Sequence, residues 1–327
     1  MYYLSKILLK KKENNFKVII IAGPTASGKS SLAIDLAKKY NGIIINADSQ
    51  QIYKELPILS SQPNKMDYKI ISHKLFSFLN FYQGFSVEQW FNLVKRELIK
   101  AKKKKSLPII VGGTGMYLNT LINGIKKFPK IPTSLKKKGR EKMKKIGPKK
   151  FYEELKKKNK LCVYKINPND KIRLLRSWEI FNVSKKSIFE IDKERNIEKL
   201  KSYDFFKILI FPSKEKIYSN CSIRWKNMIK SGAIKETQLL MKKEVKLKKK
   251  NLIKTIGFQQ IKNFLIKKNN DIEKSSELAI QATRNYAKRQ FTWFRHQFKA
   301  NVTLKKNYDK KTKKYILKEI NDKLLTN

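Results

Sequence analysis

Four short apolar runs punctuate the chain: Lys17–Ala22, Gly42–Asn46, Leu107–Val111 and Lys207–Phe211. Each is continuous rather than alternating and rich in Ile or Val, the pattern of a strand covered on both faces. Between them apolar positions recur at helical spacing. Leu32, Ala33, Leu36, Ala37 and Tyr40, for instance, share one face of a helix that follows the first run. Strands alternating with helices predict an α/β fold with a parallel sheet. From roughly Leu121 to Asp204 no strand is expected: the stretch is Lys-rich, broken by Pro129, Pro132, Pro148 and Pro168, and reads as helices. The expected organisation is an α/β core from residues 1–121 and 204–327, with an α-helical insertion over residues 122–203. From Ile217 to Phe298 the pattern is helical again, and the tail after Val302 gives little signal.

The first apolar run leads into Gly23-Pro24-Thr25-Ala26-Ser27-Gly28-Lys29-Ser30 and then into the helix. Glycines at this spacing let the backbone curl so that several amide N–H groups converge on one phosphate-sized hollow at a helix N-terminus. Lys29 adds a positive charge and Ser30 a hydroxyl for Mg²⁺. The loop predicts a P-loop NTPase-like core that binds a di- or triphosphate, without saying whether the phosphate is transferred, hydrolysed or released.

Two more strand ends belong to the same edge of such a sheet, where ligands of open α/β sheets sit. The second strand ends in Asn46-Ala47-Asp48-Ser49-Gln50-Gln51-Ile52-Tyr53, which places the Asp48 carboxylate beside the phosphate loop as a metal ligand or a proton acceptor. The third ends in Val111-Gly112-Gly113-Thr114-Gly115, a second glycine-rich turn, with the Thr114 hydroxyl at a helix start. In the insertion, Asn167-Pro168-Asn169-Asp170 opens a helix carrying Lys171, Arg173 and Arg176, a spacing suited to successive backbone phosphates or to a salt-bridged surface. Arg224, in a helix starting near Ile217, could return to the phosphates. The late helix Thr283–Arg295 mixes basic and aromatic residues, which suits RNA and equally suits burial of Tyr286, Phe291, Trp293 and Phe294.

Composition adds less. The 76 Lys plus Arg against 26 Asp plus Glu give a net charge of +50. That points to a polyanionic partner, although a Lys-, Ile- and Asn-rich chain also has the signature of an AT-rich genome. Arginines at motif positions therefore carry more weight than the total, and runs such as Lys102–Lys105 and Lys248–Lys250 read as solvated surface. Cys162 and Cys221 lack partners at metal-ligand spacing, so neither a zinc site nor a disulfide framework is expected, and a cytoplasmic location fits. No run approaches a membrane span. Residues 1–15, with an apolar patch from Leu4 to Leu9, read as a lead-in to the first strand.

Taken in order, GPTASGKS (Gly23–Ser30), DSQQIY (Asp48–Tyr53), VGGTGMYL (Val111–Leu118), NPND with its trailing arginines (Asn167–Arg176), IGFQQ (Ile256–Gln260) and AKRQFTWFR (Ala287–Arg295) resemble the bacterial tRNA dimethylallyltransferases. The resemblance spans roughly residues 17 to 296. It implies prenylation of the adenine 3′ of the anticodon, with dimethylallyl diphosphate as donor, Mg²⁺ as cofactor and no nucleoside triphosphate consumed. It implies that Gly23, Pro24, Thr25, Ala26, Ser27, Gly28, Lys29, Ser30 and Arg224 bind the diphosphate, with Mg²⁺ near Ser30. Asp48 would take the proton of the attacking amine, and Thr114 would hydrogen-bond near the breaking bond. Asp48, Ser49, Gln50, Gln51 and Thr114 would hold the flipped base. Ile172, Arg173, Leu174, Leu175 and Arg176, with Lys136, would grip the anticodon stem-loop. A monomer is expected.

The chain departs from the family pattern at Asn167 (usually His), at Ser177-Trp178 (Arg-Ala), at Lys185-Lys186 (Gly-Lys) and at Ser60-Ser61-Gln62-Pro63. Only one histidine, His73, stands where the family often has two. Rival readings are a free-adenylate isopentenyltransferase, against which the insertion argues, a small-molecule kinase, and an RNA-binding protein without activity.

Overall fold

The first strand, β1 (Phe16–Ala22), is buried at six of its seven positions, as its unbroken apolar run requires. It is paired on both sides with β4 (Leu107–Gly112) and β7 (Tyr203–Ile210). The structure, a computed structural model, describes residues 15–193, 197–249, 251–266 and 271–325. The patch Leu4 to Leu9 lies outside them.

β2 (Gly42–Asn46) adds to β4, β3 (His73–Lys74) to β2, and β8 (Val302–Leu304) to β7. The sheet order is β3-β2-β4-β1-β7-β8, and every pairing is parallel. All strand C-termini therefore reach one edge. α1 (Lys29–Lys39) packs Leu32, Ala33, Leu36 and Ala37 onto Ile19, Ile44 and Ile109 of one sheet face.

The chain divides into two units, Met1–Asn123 with Leu200–Asn327, and Gly124–Lys199. The first contains the sheet with α1, α2 (Lys65–Ile70), α3 (Val87–Lys103), α4 (Gly115–Asn123), α8 (Lys214–Lys230), α9 (Ala233–Leu247), α10 (Phe258–Ile266), α11 (Ile272–Gln297) and α12 (Lys310–Ile320). The second contains α5 (Thr133–Lys158), α6 (Lys171–Ser184) and α7 (Ile188–Lys193). α5 breaks at Gly147 (φ 76°) just ahead of Pro148. Asp170 caps α6 by accepting from the Arg173 amide, the helix start that NPND predicts.

Two findings differ from the sequence reading. β5 (Ile125–Lys126) and β6 (Ile197–Glu198) form a two-residue antiparallel pair at the base of the helical unit, where no strand was expected. The tail after Val302 is built into the core: Val302, Leu304, Ile316 and Ile320 are buried against the sheet. Ser177 and Trp178 belong to the interior of the helical unit. The Ser177 hydroxyl donates to the Cys162 carbonyl at 2.5 Å, and Trp178 packs with Met143 and Phe151.

Candidate active site

The three motif-bearing strand ends meet at the C-terminal edge of the sheet. The turn from β1 into α1 has left-handed backbone at Ala26 (φ 60°) and Gly28 (φ 91°), the curl from which loop amides converge on an anion. Lys29 folds back over this loop, its Nζ donating to the Pro24 carbonyl at 2.6 Å. Burial pushes the Lys29 ammonium down to about 8; the Asp48 charge opposes this and the Arg224 charge adds to it.

Arg224, on α8, reaches the loop from the other side. Its Nη1 donates to Thr25 Oγ1 at 2.8 Å and its Nη2 to the Ser60 carbonyl at 3.5 Å. Two desolvated cations at one loop are costly unless an anion joins them. Ser27 Oγ, buried in the same loop, has no hydrogen-bond partner. Asn220 of α8 pins the loop further by donating to the Ala26 carbonyl at 2.9 Å. Ser30 is exposed in the first turn of α1.

Asp48 lies just beyond β2. Its Oδ1 accepts from the Gln50 amide at 2.9 Å, and its own N–H donates to Asn46 Oδ1 at 2.8 Å. Asn46 is fixed in turn by Trp90 of α3, whose Nε1 donates to the Asn46 carbonyl at 2.8 Å. The Thr114 hydroxyl accepts from the Ser49 amide at 2.9 Å and shares a hydrogen bond with Tyr286 of α11. Burial, then the Asp48 charge, push the Tyr117 and Tyr286 phenols well above their ordinary range. Asp48, Gln50, Thr25, Arg224 and Tyr286 line one narrow cavity with apolar walls from Leu59, Trp225 and Met228.

Some candidates hold the scaffold rather than the cavity. Gln51 spends its amide on the Ser60 and Ser61 carbonyls, at 3.0 and 2.8 Å. In α6, Leu174 is fully buried and Leu175 packs against the same core, so Ile172 and Arg173 are the exposed residues of that run and Arg176 is half-buried. Lys136, in α5, is half-buried. In α11 the apolar face buries Phe291 and Phe294, while Tyr286 and Trp293 are half-buried.

Gln290 is the functional residue that sequence reasoning missed. Buried on α11, it accepts from the Thr25 amide at 2.8 Å and donates to the Gly113 carbonyl at 2.9 Å, joining the phosphate loop to the Thr114 turn. Gly113 has to be glycine for this, since a Cβ there would lie 2.4 Å from Gln290 Nε2. The one sequence signal is its place four residues after Tyr286, on the same helix face.

The IPP transferase family model matches residues 51–297, most of the chain. The chain belongs to this family. A tRNA dimethylallyltransferase of Pelagibacter ubique is 40% identical over 308 residues, 92% of this chain and 97% of its own. One of Ehrlichia canis is 38% identical over 86% of this chain and 92% of its own. Among solved structures of the family, a eukaryotic dimethylallyltransferase acting on tRNA superposes with a TM-score of 0.79 at 25% identity, covering 94% of this chain and 79% of its own. The Staphylococcus epidermidis tRNA isopentenylpyrophosphate transferase gives 0.64 at 28% identity, over 94% and 99%.

Proposed function

We infer that the chain transfers the dimethylallyl group of dimethylallyl diphosphate to the exocyclic amine of the adenosine 3′ of the anticodon in tRNA, releasing diphosphate. The observation that carries this reading is the Asp48 carboxylate and the Arg224 guanidinium lining one cavity, with the half-buried Lys29 ammonium in the loop beside it. The cations suit an anionic leaving group, and the carboxylate suits the proton of a nucleophile.

In this reaction the amine nitrogen forms a bond to the allylic carbon while the carbon–oxygen bond to diphosphate breaks. The amine is a poor nucleophile, its lone pair being delocalised into the ring, and its proton becomes acidic only as the new bond forms. Asp48 accepts that proton. The developing charge on the leaving oxygens falls on Lys29, Arg224 and the loop amides, which are oriented before the reaction starts. Thr114, held by Ser49 and Tyr286, donates near the breaking bond. The target base leaves its stack to reach the cavity, and Asp48, Ser49 and Gln50 line its seat. Ile172, Arg173 and Arg176 of α6, with Lys136, contact the anticodon stem-loop.

The donor chemistry fits a divalent cation. The described residues contain no cluster of three or more acidic, His or Cys side chains; the protein ligand assigned in this reading is the Ser30 hydroxyl. That suits Mg²⁺, which keeps waters and takes substrate phosphate oxygens rather than a protein cage. When bound it would supply further charge neutralisation on the diphosphate. Among the described residues no helix is long and apolar enough to cross a membrane, and the chain is read as a cytoplasmic monomer.

The test is incubation of the chain and Mg²⁺ with radiolabelled dimethylallyl diphosphate and either unmodified tRNA or AMP. Label in tRNAs with adenine 3′ of the anticodon supports the reading. Label in AMP, or in neither, overturns it.

A further inference from the structure

The helical unit contains a cavity that the phosphate-loop chemistry does not use. It measures about 340 Å³ and lies between the turn that follows the short helical turn Lys160–Val163, the second turn of α6 and the start of α7. Its apolar lining comes from Ile166, Ile188 and the rings of Phe128 and Phe189, and its cations are Lys165, Arg173 and Arg176.

The aromatic and cationic groups are organised against one another. The Arg176 guanidinium stands 5.5 Å from the Phe128 ring centroid. Phe189 meets Tyr164 edge-to-face at 5.3 Å, and the Lys165 ammonium lies 5.0 Å from the Tyr164 ring. Lys165, a residue of the cavity lining, holds a left-handed backbone, φ 54°, which costs energy for any residue with a Cβ. The nearby acids are already engaged. Asp170 caps α6 and lies 3.5 Å from Arg173, while Glu179 lies 3.8 Å from Arg176. The lining itself holds three cations and no carboxylate, so the cavity is positive.

Rings and guanidinium planes beside exposed cations are the chemistry by which proteins seat an unstacked base and its phosphate. A hydrophobic peptide would leave the cations uncompensated, and a free phosphate would not need the rings. We propose that this cavity receives one unstacked nucleotide of the substrate RNA loop, distinct from the acceptor adenosine, with the base against the Phe189 side and the phosphate on Arg173 and Lys165. The proposal rests on the tRNA reading above and deepens it. The acceptor base is presented to the chemistry, and a second loop nucleotide anchors the RNA in the helical unit.

The experiment is a set of double-mutant cycles on the full chain. Anticodon stem-loop RNAs carrying a single abasic site at each loop position are bound to the wild type, to Phe189→Leu and to Arg173→Ala. Phe189→Leu keeps apolar volume and removes the ring; Arg173→Ala alters an exposed side chain. At one position other than the acceptor, the abasic site should weaken wild-type binding roughly 5- to 150-fold. That penalty should largely vanish in Phe189→Leu. Arg173→Ala should weaken every RNA and lower the salt dependence of binding. Additive losses at every loop position overturn the proposal, even if dimethylallyl transfer to tRNA proceeds. Absence of transfer to tRNA overturns the functional reading and, with it, this one.

Discussion

Gln290 and Thr25, 265 residues apart in the chain, are joined by a hydrogen bond of 2.8 Å from the Thr25 amide to the Gln290 side-chain oxygen. The Nε2 of the Gln290 side chain donates to the Gly113 carbonyl. One buried side chain therefore sets the spacing between the loop proposed to hold the leaving group and the turn that carries Thr114. Gln290→Glu keeps the acceptor for Thr25 and loses the donor for Gly113, leaving two oxygens in contact. A buried unsatisfied group costs about 1–3 kcal/mol, so kcat should fall by about tenfold to a hundredfold at neutral pH. A protonated glutamic acid can donate again, so the deficit should shrink as pH falls. A pH–rate profile running parallel to the wild type would count against this positioning role.

In the proposed reaction Asp48 acts chiefly as the proton acceptor. Asp48→Asn preserves the acceptor for the Gln50 amide and removes the base, so single-turnover transfer should drop by about 10²–10⁴. Filter binding should show tRNA affinity within a few-fold of wild type. An equal loss of affinity would make Asp48 a recognition residue.

If Lys29 binds the diphosphate as proposed, that binding should be sensitive to pH. In the free chain burial lowers its ammonium to about 8, and an anion beside it favours the charged form and raises that value. Binding is therefore coupled to proton uptake near pH 8. Affinity for dimethylallyl diphosphate should be flat below about pH 8 and weaken by up to about tenfold per unit above it, until the raised value is reached. Calorimetry in buffers of different ionisation heat reads the proton directly. Lys29→Arg should bind without this uptake, since arginine does not titrate in the range.

The reach of sequence reasoning follows from how local each signal is. The phosphate loop, Asp48 and Thr114 each sit in a contiguous motif at a strand end, and a parallel sheet brings all such ends to one edge, so their meeting was legible. Gln290 was not, because its partners come from two other motifs and its helix also reads as an ordinary amphipathic one. β5 and β6 are two residues each and some seventy residues apart, too short to show any period. In the tail, Val302, Leu304, Ile316 and Ile320 are spaced among lysines, and their burial depends on β7 having already formed an edge for them. Ser177 and Trp178, where the chain departs from the family pattern, are buried in the helical unit's core.

The tail also bears on α1. The Tyr308 hydroxyl donates to Asp35, and Lys313 lies 3.2 Å from the same carboxylate. Burial works to raise the Asp35 carboxyl, but the hydrogen bonds from Tyr308 and Lys313 and the lysine charges outweigh it and hold it below the usual value. A depressed acid stabilises the fold above its unfolded pKa and loses that contribution as pH falls through its folded one. Tyr308→Phe should cost about 1 kcal/mol in urea unfolding at pH 7, the low end for a hydrogen bond to a charged, partly exposed group. The difference from wild type should narrow below about pH 4. A constant difference across that range would assign the loss to packing.

Lys185 offers a stabilising change. It ends α6 in the left-handed conformation, φ 59°, with its amide on the Phe181 carbonyl. The family pattern places glycine there, and left-handed backbone costs a residue with a Cβ about 1–2 kcal/mol. Glycine removes that strain but loses more backbone entropy on folding, roughly 0.5–1 kcal/mol. Lys185→Gly should therefore stabilise the chain by roughly 0.5–1 kcal/mol in all. The gain should appear as a higher urea midpoint at unchanged slope. Lys185→Ala, which keeps the Cβ and removes the rest of the lysine side chain, should not reproduce it. Equal midpoints for the Gly and Ala variants would show that the lysine charge, and not the backbone, is what strains the end of α6.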